Sequence, residues 1–296
     1  MNITKTGMFS IVGRPNAGKS TLTNALVGEK IAIVTNKPQT TRNRITGVVN
    51  RGEAQMIFLD TPGLHKAKNR LGDYMVDIIN ETVAEVDAVI LIVEPVARIG
   101  VPEQILIDKI KEYQLPAILV INKCDTVEQD TILPVIATYS EAHEFDAIIP
   151  ISARNKKNLN VLLDELDKMC MESPQLYPDG MITDQTEHQL FAEIIREKIL
   201  LNLGDEIPHG VAIEIEREEI RENGTRAINA AITCERKSHK GIILGKQGSK
   251  IKKIGTEARE EIAKKTGNRA YLELWVKVKE DWRNNPNSVK SFGYEM

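Results

Sequence analysis

A chain of 296 residues, 42% apolar and 27% charged, can fill two separate cores and is too ordinary in composition for a disordered protein. Its formal charge of −3 excludes a uniformly basic nucleic-acid binder but not a local basic patch. Cys124, Cys170 and Cys234 stand alone with no CxxC spacing, which predicts reduced thiols in a cytosolic protein and neither a disulfide frame nor a zinc site. The stretch MNITKTGMFSIVG lacks signal-peptide architecture, and no apolar run approaches the roughly 20 residues of a membrane span. The expected location is cytoplasmic, with peripheral contact at the cytoplasmic face of the membrane left open.

In chain order, Met8 to Val12 is a short apolar run that predicts a buried strand, and Leu22, Ala25 and Leu26 recur at helical spacing after it. Between them lies Gly13-Arg14-Pro15-Asn16-Ala17-Gly18-Lys19-Ser20, which fits the phosphate-loop pattern GxxxxGKS in its strand–loop–helix context. The glycines let backbone N–H groups turn toward phosphate oxygens, and the helix start adds a favourable dipole. Lys19 is expected to neutralise the terminal phosphates and the Ser20 hydroxyl to ligate Mg²⁺. Gly28 to Arg42 is polar and aperiodic, which predicts a mobile functional loop. Ile45–Val49 and Ala54–Leu59, joined by Asn50-Arg51-Gly52-Glu53, read as a hairpin. The second run ends in Asp60-Thr61-Pro62-Gly63, a DxxG at a strand terminus, where Asp60 can support the Mg²⁺ shell and the Gly63 N–H can meet a γ-phosphate.

Ala88 to Val93 and Ala117 to Ile121 are continuous apolar runs of the kind buried on both faces of a parallel sheet. Ile105, Ile107 and Ile110 mark a helix after Pro102. Strands alternating with helices predict an α/β domain with a doubly wound, mostly parallel sheet and ligand loops at the strand C-termini. One such terminus carries Asn122-Lys123-Cys124-Asp125, the pattern NKxD, and the strand Ala147–Ile151 leads into Ser152-Ala153. A carboxylate at Asp125 can accept from N1–H and N2–H₂ of guanine, a donor pair adenine lacks. Leaving such a charged group unpaired costs on the order of 2–3 kcal/mol, enough to discriminate the base. Lys123 would pack over the base or brace the phosphate loop, Asn122 would tie the two loops, and the Ala153 N–H would reach the guanine O6. Together the motifs predict a site for GTP or GDP and argue against a small-molecule P-loop kinase.

GRPNAGKS, Gln39-Thr40-Thr41-Arg42, DTPGL, NKCD and Ile151-Ser152-Ala153 resemble the five motifs of translation-factor-class small GTPases. That resemblance implies GTP hydrolysis and makes Thr41, ahead of Thr40, the switch threonine that meets Mg²⁺ and the γ-phosphate. It assigns Mg²⁺ to Ser20, Thr41 and Asp60, and catalysis to Lys19, Asn16, Thr41 and Gly63. Leu64 follows DTPG where Ras-like enzymes carry a water-orienting glutamine, so positioning and charge neutralisation must come from elsewhere. Asn16 resembles the asparagine that holds K⁺ in relatives with the same leucine, and K⁺ is the expected substitute.

Asn158 to Met169 predicts the last α/β helix, with Leu159, Leu162, Leu163 and Leu166 on one face. Ser173 to Gly180, with two prolines and a glycine, breaks the pattern. The expected organisation is a nucleotide domain over 1–172, a linker over 173–185, a second domain over 186–280 and a tail over 281–296. The second domain opens with a helix carrying Leu190, Phe191, Ile194, Ile195 and Ile199, capped by Thr186 or Asp184. Strands follow, with Val211, Ile213 and Ile215 and then Ile228, Ala230, Ile232 and Cys234 alternating, and Asn223-Gly224 marks their turn. A helical region precedes Gly245-Lys246-Gln247-Gly248, and Ile251, Ile254, Ala258 and Ile262 predict the helix after it. Leu272, Leu274, Val276 and Val278 form the last strand.

Arg236, Lys237, Lys240, Lys246, Lys250, Lys252 and Lys253 fall in a stretch with no acid, interrupted by the GxxG at a helix start. That arrangement reads as a clamp on a single-stranded nucleic-acid backbone, with Gly245, Lys246, Gln247 and Gly248 at its centre. The element order resembles a type II KH domain. A GTPase domain of this class followed by one such domain resembles the Era family of bacterial ribosome-assembly GTPases. The resemblance implies binding to the 3′ region of 16S rRNA, action on the 30S subunit in its maturation, and a monomeric protein. His65, His143, His188, His209 and His239 are scattered and predict no metal site, although His239 is placed to touch RNA. Glu81 and Glu85 read as a solvated pair, and Tyr271 and Trp275 as packing residues.

Overall fold

The computed structural model describes residues 3–64, 67–204 and 207–294. His65 lies outside them. The chain forms two compact units that divide between Asp184 and Gln185, with residues 68–71 belonging to the second.

In the first unit, β1 (Lys5–Val12), α1 (Lys19–Val27), β2 (Ile45–Arg51), β3 (Ala54–Asp60), α2 (Arg70–Ala84), β4 (Ala88–Val93), α3 (Val101–Glu112), β5 (Ala117–Ile121), α4 (Ile132–Ala142), β6 (Ala147–Pro150), α5 (Leu159–Met169) and β7 (Met171–Glu172) follow in order. The sheet order is β2-β3-β1-β4-β5-β6, with β7 on the first residues of β1. Pairs β1–β3, β1–β4, β4–β5 and β5–β6 are parallel, and the β2–β3 hairpin is antiparallel. Every residue of β4 and β5 is buried, because helices cover both faces of the sheet. One face packs Phe9, Ile11 and Ile90 against Leu22, Leu162 and Leu166; the other packs Val89, Leu91 and Leu119 against Ile107, Ile110 and Val135. Each fully buried aliphatic side chain stabilises the fold by about 1.5–3 kcal/mol. Ile105 does not join them. It is exposed, and Leu106 takes the inward position, because a 3.6-residue period turns Leu106, Ile107 and Ile110 to the sheet.

The segment after α1 is less uniformly polar than its composition predicts. Ile31, Ala32 and Ile33 are buried, and the Asn24 side chain clasps them by accepting from the Ile31 and Ala32 N–H groups and donating to the Ala32 carbonyl. Residues 173–184 are likewise held rather than loose. The Ser173 N–H donates to the Thr4 carbonyl and the Val48 N–H to the Ile182 carbonyl. The fully buried Gln55 accepts from the Leu176 and Tyr177 N–H groups and donates to the Tyr177 carbonyl.

The second unit contains α6 (Glu187–Asn202), β8 (Ala212–Ile220), β9 (Arg226–Cys234), α7 (Lys237–Leu244), α8 (Ser249–Thr266), β10 (Ala270–Val278) and α9 (Pro286–Ser291). Its sheet runs β10-β9-β8, with β10 parallel and β8 antiparallel to β9. Thr186, not Asp184, caps α6, in a capping box with Gln189. Phe191, Ile195, Ile199, Ile228, Ile232, Ile254 and Ile262 share one core. Residues 281–294 pack onto this unit: Trp282 is fully buried, donates to the Gly210 carbonyl and meets the rings of Phe292 and Tyr294. Tyr271, expected to pack, is 44% exposed, with the Arg221 guanidinium 4.7 Å above its ring.

Candidate nucleotide site and nucleic-acid loop

Parallel strands place their C-termini on one edge of the sheet, and that edge gathers the predicted residues. β1 ends at the phosphate loop, β3 at Asp60, β5 at Asn122 and β6 just before Ser152-Ala153. A cavity of about 650 Å³ opens there, lined by the phosphate loop, by residues 33–37 and 39–41 of the segment after α1, and by Gly63, Glu94 and Lys123.

α1 starts without a side-chain cap, from Gly18 in the left-handed region (φ 105°), which leaves the first N–H groups of the helix turned to the loop. A Cβ on Gly18 would lie 2.2 Å from Asn122 Nδ2, so only glycine fits. Lys19 Nζ donates to the Gly13 and Arg14 carbonyls at 3.2 and 3.1 Å, which stretches it across the loop. Burial lowers Lys19 to about 8, against the opposing pull of the Asp60 carboxylate. Burial likewise raises Asp60 to about 6, while Lys19 and the nearby Ser20 hydroxyl act to lower it.

Neither Asp60 oxygen has a hydrogen-bond partner of regular geometry. The Ser20 and Thr41 hydroxyls stand 2.8 Å apart, and Thr41 is buried. Two hydroxyls beside an orphaned, buried carboxylate are the hard oxygen donors that Mg²⁺ takes. Thr40 turns away, donating to the Lys37 carbonyl and pairing with Thr35. Gly63 packs flat on Pro15, where a Cβ would meet the Pro15 nitrogen at 2.7 Å, and the Leu64 N–H donates to the Gly13 carbonyl. The DxxG turn therefore rests directly on the phosphate loop. Leu64 is buried and presents no polar group. Asn16, at φ 65°, donates its side-chain amide to the Asn36 carbonyl at 3.1 Å and so touches the segment after α1.

Asn122 ties the loops as expected: Nδ2 donates to the Ala17 carbonyl at 2.9 Å, and Oδ1 accepts from the Ala153 N–H at 3.0 Å. The second bond brings the Ala153 N–H to the base loop's own asparagine. Ser152 Oγ accepts from the Asn155 N–H and shapes the turn. Asp125 stands exposed in the 3₁₀ turn after Lys123, which is itself left-handed (φ 65°). The Arg14 side chain turns to Glu94 and Glu103 instead of joining Lys19. Glu94 also pairs with Lys123 at 2.5 Å, a partner that motif reading passed over. Its signal was an acid directly after β4, on the ligand edge of the sheet.

In the second unit, the GxxG joins α7 to α8. Gly245 (φ 72°), Gln247 (φ 52°) and Gly248 (φ 75°) all take positive φ, and a Cβ on Gly245 would meet Lys250 Cγ at 2.7 Å. Arg236, Lys237, Lys240, Lys246, Lys250, Lys252 and Lys253 are all exposed, and Lys253 lies 3.8 Å from Glu257. His239 is half-buried within α7. A second cavity, of about 410 Å³, lies between α8 and β10, with Ile251, Gly255, Leu272 and Leu274 on its apolar side and Lys252 and Arg259 on its polar side. His143 meets Phe145 edge-on and His188 pairs with Glu218. Glu81 and Glu85 are exposed.

Residues 8–123 match a family described as 50S ribosome-binding GTPase, and residues 206–283 match the KH domain family. The chain is 48% identical to GTPase Era of Ruminiclostridium cellulolyticum, covering 98% of each chain, and 49% identical to GTPase Era of Clostridioides difficile over the same shares. A solved structure of Era with MgGDPNP and nucleotides 1506–1542 of 16S ribosomal RNA superposes with a TM-score of 0.96, at 38% identity over 99% of this chain and 100% of that one. A point variant of Aquifex aeolicus Era bound to GDP and AlF₄⁻ gives 0.95 at 40% identity, with the same coverage. With both halves matched in order and full-length identity near one residue in two, the chain belongs to the Era family of GTPases.

Proposed function

We propose that this protein binds and hydrolyses GTP with Mg²⁺ and grips the 3′ region of 16S rRNA through its KH domain, as a factor in 30S subunit biogenesis and rRNA maturation. The observation that carries the first part is the cluster of Ser20 and Thr41 hydroxyls, 2.8 Å apart, with the buried carboxylate of Asp60, whose oxygens have no hydrogen-bond partner of regular geometry. Those three residues would hold Mg²⁺, which when bound neutralises charge on the phosphate oxygens. The N–H groups at the start of α1 orient the phosphates, Lys19 supplies positive charge from a water-poor position, and Asp125 selects guanine. Leu64 has no group to orient water. Asn16 beside the Asn36 carbonyl offers oxygen donors for K⁺, which we expect to share in charge neutralisation. Single-turnover cleavage should therefore be faster in K⁺ than in equal Na⁺, and equal rates would remove K⁺ from the scheme.

The RNA assignment rests on the exposed basic GxxG loop, and on a relative solved with nucleotides 1506–1542 of 16S rRNA. Switch residues Lys37 to Thr41 would be ordered by GTP and released on hydrolysis, as a timer for the RNA grip. By linkage, RNA that favours the GTP form tightens GTP binding by the same factor. Anisotropy titration of a labelled 16S 3′-end fragment, in GTP-analogue and GDP states, tests both statements. Binding no tighter than to a scrambled RNA would overturn the RNA assignment, and equal affinity in both states would overturn the coupling. A monomer in the cytoplasm, with transient contact at the inner face of the membrane, completes the reading. Sedimentation and cell fractionation check it.

A further inference from the structure

We infer that Glu94 is a positioning residue of the guanine-nucleotide site, a single carboxylate that ties Arg14 of the phosphate loop to Lys123 of the base loop. The inference rests on the nucleotide reading above and extends it to a residue outside the nucleotide-binding motifs. Glu94 follows β4, the strand between those that feed the two loops: β4 pairs with β1 on one side and β5 on the other. From there one oxygen pairs with Arg14 Nη2 and the other with Lys123 Nζ, the latter at 2.5 Å. Both cations and Glu94 line the 650 Å³ cavity that the phosphate loop shares with the switch segment.

Arg14 and Lys123 repel each other, and the Arg14 charge, after burial itself, helps hold the Lys123 amine below its usual range. A carboxylate between them turns that repulsion into a bridge. Arg14 also lies 3.7 Å from the buried Glu103 of α3, a second acidic partner. Lys123 has no second one among the described residues. It sits in left-handed backbone, and Glu94 is its ion-pair partner among the described residues. Glu94 thus decides where the Lys123 stem lies along the cavity wall. Asn122 ties the same loops by neutral hydrogen bonds in the interior, and Glu94 ties them by charge at the rim.

The test is mant-GDP release and steady-state GTP hydrolysis for the wild-type full chain, Glu94→Gln and Glu94→Asp. Two half-exposed ion pairs predict release about three- to tenfold faster in E94Q, with KM raised to match and kcat changed by less than about twofold. Glu94→Asp, which keeps the charge, should recover part of the loss. Unchanged release in E94Q overturns the inference. So does a fall in kcat at unchanged KM, or a loss that E94D does not recover and that tracks a lower melting temperature. Failure of the wild-type protein to bind mant-GDP would instead sink the nucleotide reading itself.

Discussion

The molecule carries two glycine loops that open onto helix N-termini, and their surroundings are opposite. Gly18 and Gly248 both precede their helix in the left-handed region, at φ 105° and 75°, and neither helix has a side-chain cap. Around Gly18 the space is full: Asn122 sits where a Cβ would go, and Lys19 is only 6% exposed. Around Gly248 nothing lies within 4 Å of a Cβ position, and the neighbouring lysines face water. One loop is held by its neighbours and desolvated, so few groups act strongly on a small, fixed ligand. The other is held mainly by its own backbone and solvated, the setting in which many weak, screened charges would act together on a long polyanion.

The contrast breaks most sharply at Gly18. Gly18→Ala adds a collision with Asn122 to the strain of positive φ, and is expected to cost about 3 kcal/mol of stability and abolish mant-GDP binding. Urea unfolding and fluorescence titration read both effects.

The buried charges at the same site give a pH signature of their own. Asp60 rises from 3.8 to about 6, so between these values the folded chain keeps a proton that the unfolded chain has lost. The nucleotide-free protein should therefore lose on the order of 2 kcal/mol on this account as pH climbs from about 4 to about 6. Lys19 falls from 10.5 to about 8, so the folded chain binds fewer protons across that window and stability recovers as pH rises through it. Unfolding measured as a function of pH in wild type and Asp60→Asn checks the first slope, which the variant should lack.

At the open loop the effects are smaller and depend on salt. Lys246→Ala or Lys250→Ala should weaken binding of the 16S fragment by about 1 kcal/mol and reduce the slope of log affinity against log salt by about 0.7. Guanine-nucleotide affinity should not move. Gly248→Ala meets no neighbour and carries only the cost of its left-handed backbone, again about 1 kcal/mol and well below the loss at Gly18. A stability loss there as large as that of Gly18→Ala would erase the distinction between the two loops.

Much of this arrangement is legible in the residues alone. Apolar runs such as Ala88–Val93 and Ala117–Ile121 can only be satisfied between two covering layers, and all their residues are buried. GxxxxGKS, DxxG and NKxD reveal their chemistry because each does its work through local backbone and one or two side chains. The alternation in Val211–Ile215 and Ile228–Cys234 likewise announces a sheet with one apolar face. Local pattern fails where a partner is distant in the chain. Thr41 lies against the Ser20 hydroxyl, the Ala153 N–H donates to Asn122, and the Arg14 side chain turns to Glu94 and Glu103. The hold of Gln55 on Leu176 and Tyr177, and the burial of Trp282, are contacts of the same kind.

The amino-acid sequence by itself determined the family and the chemistry expected of it, because phosphate cradling, base selection and backbone clamping need particular residues at short, fixed spacings. Only the tertiary structure decided which of those groups are buried, which are already engaged, and which charge stands between the loops. Desolvation and hydrogen-bond partnership depend on what the rest of the fold brings within a few ångströms, and no local pattern encodes that distance.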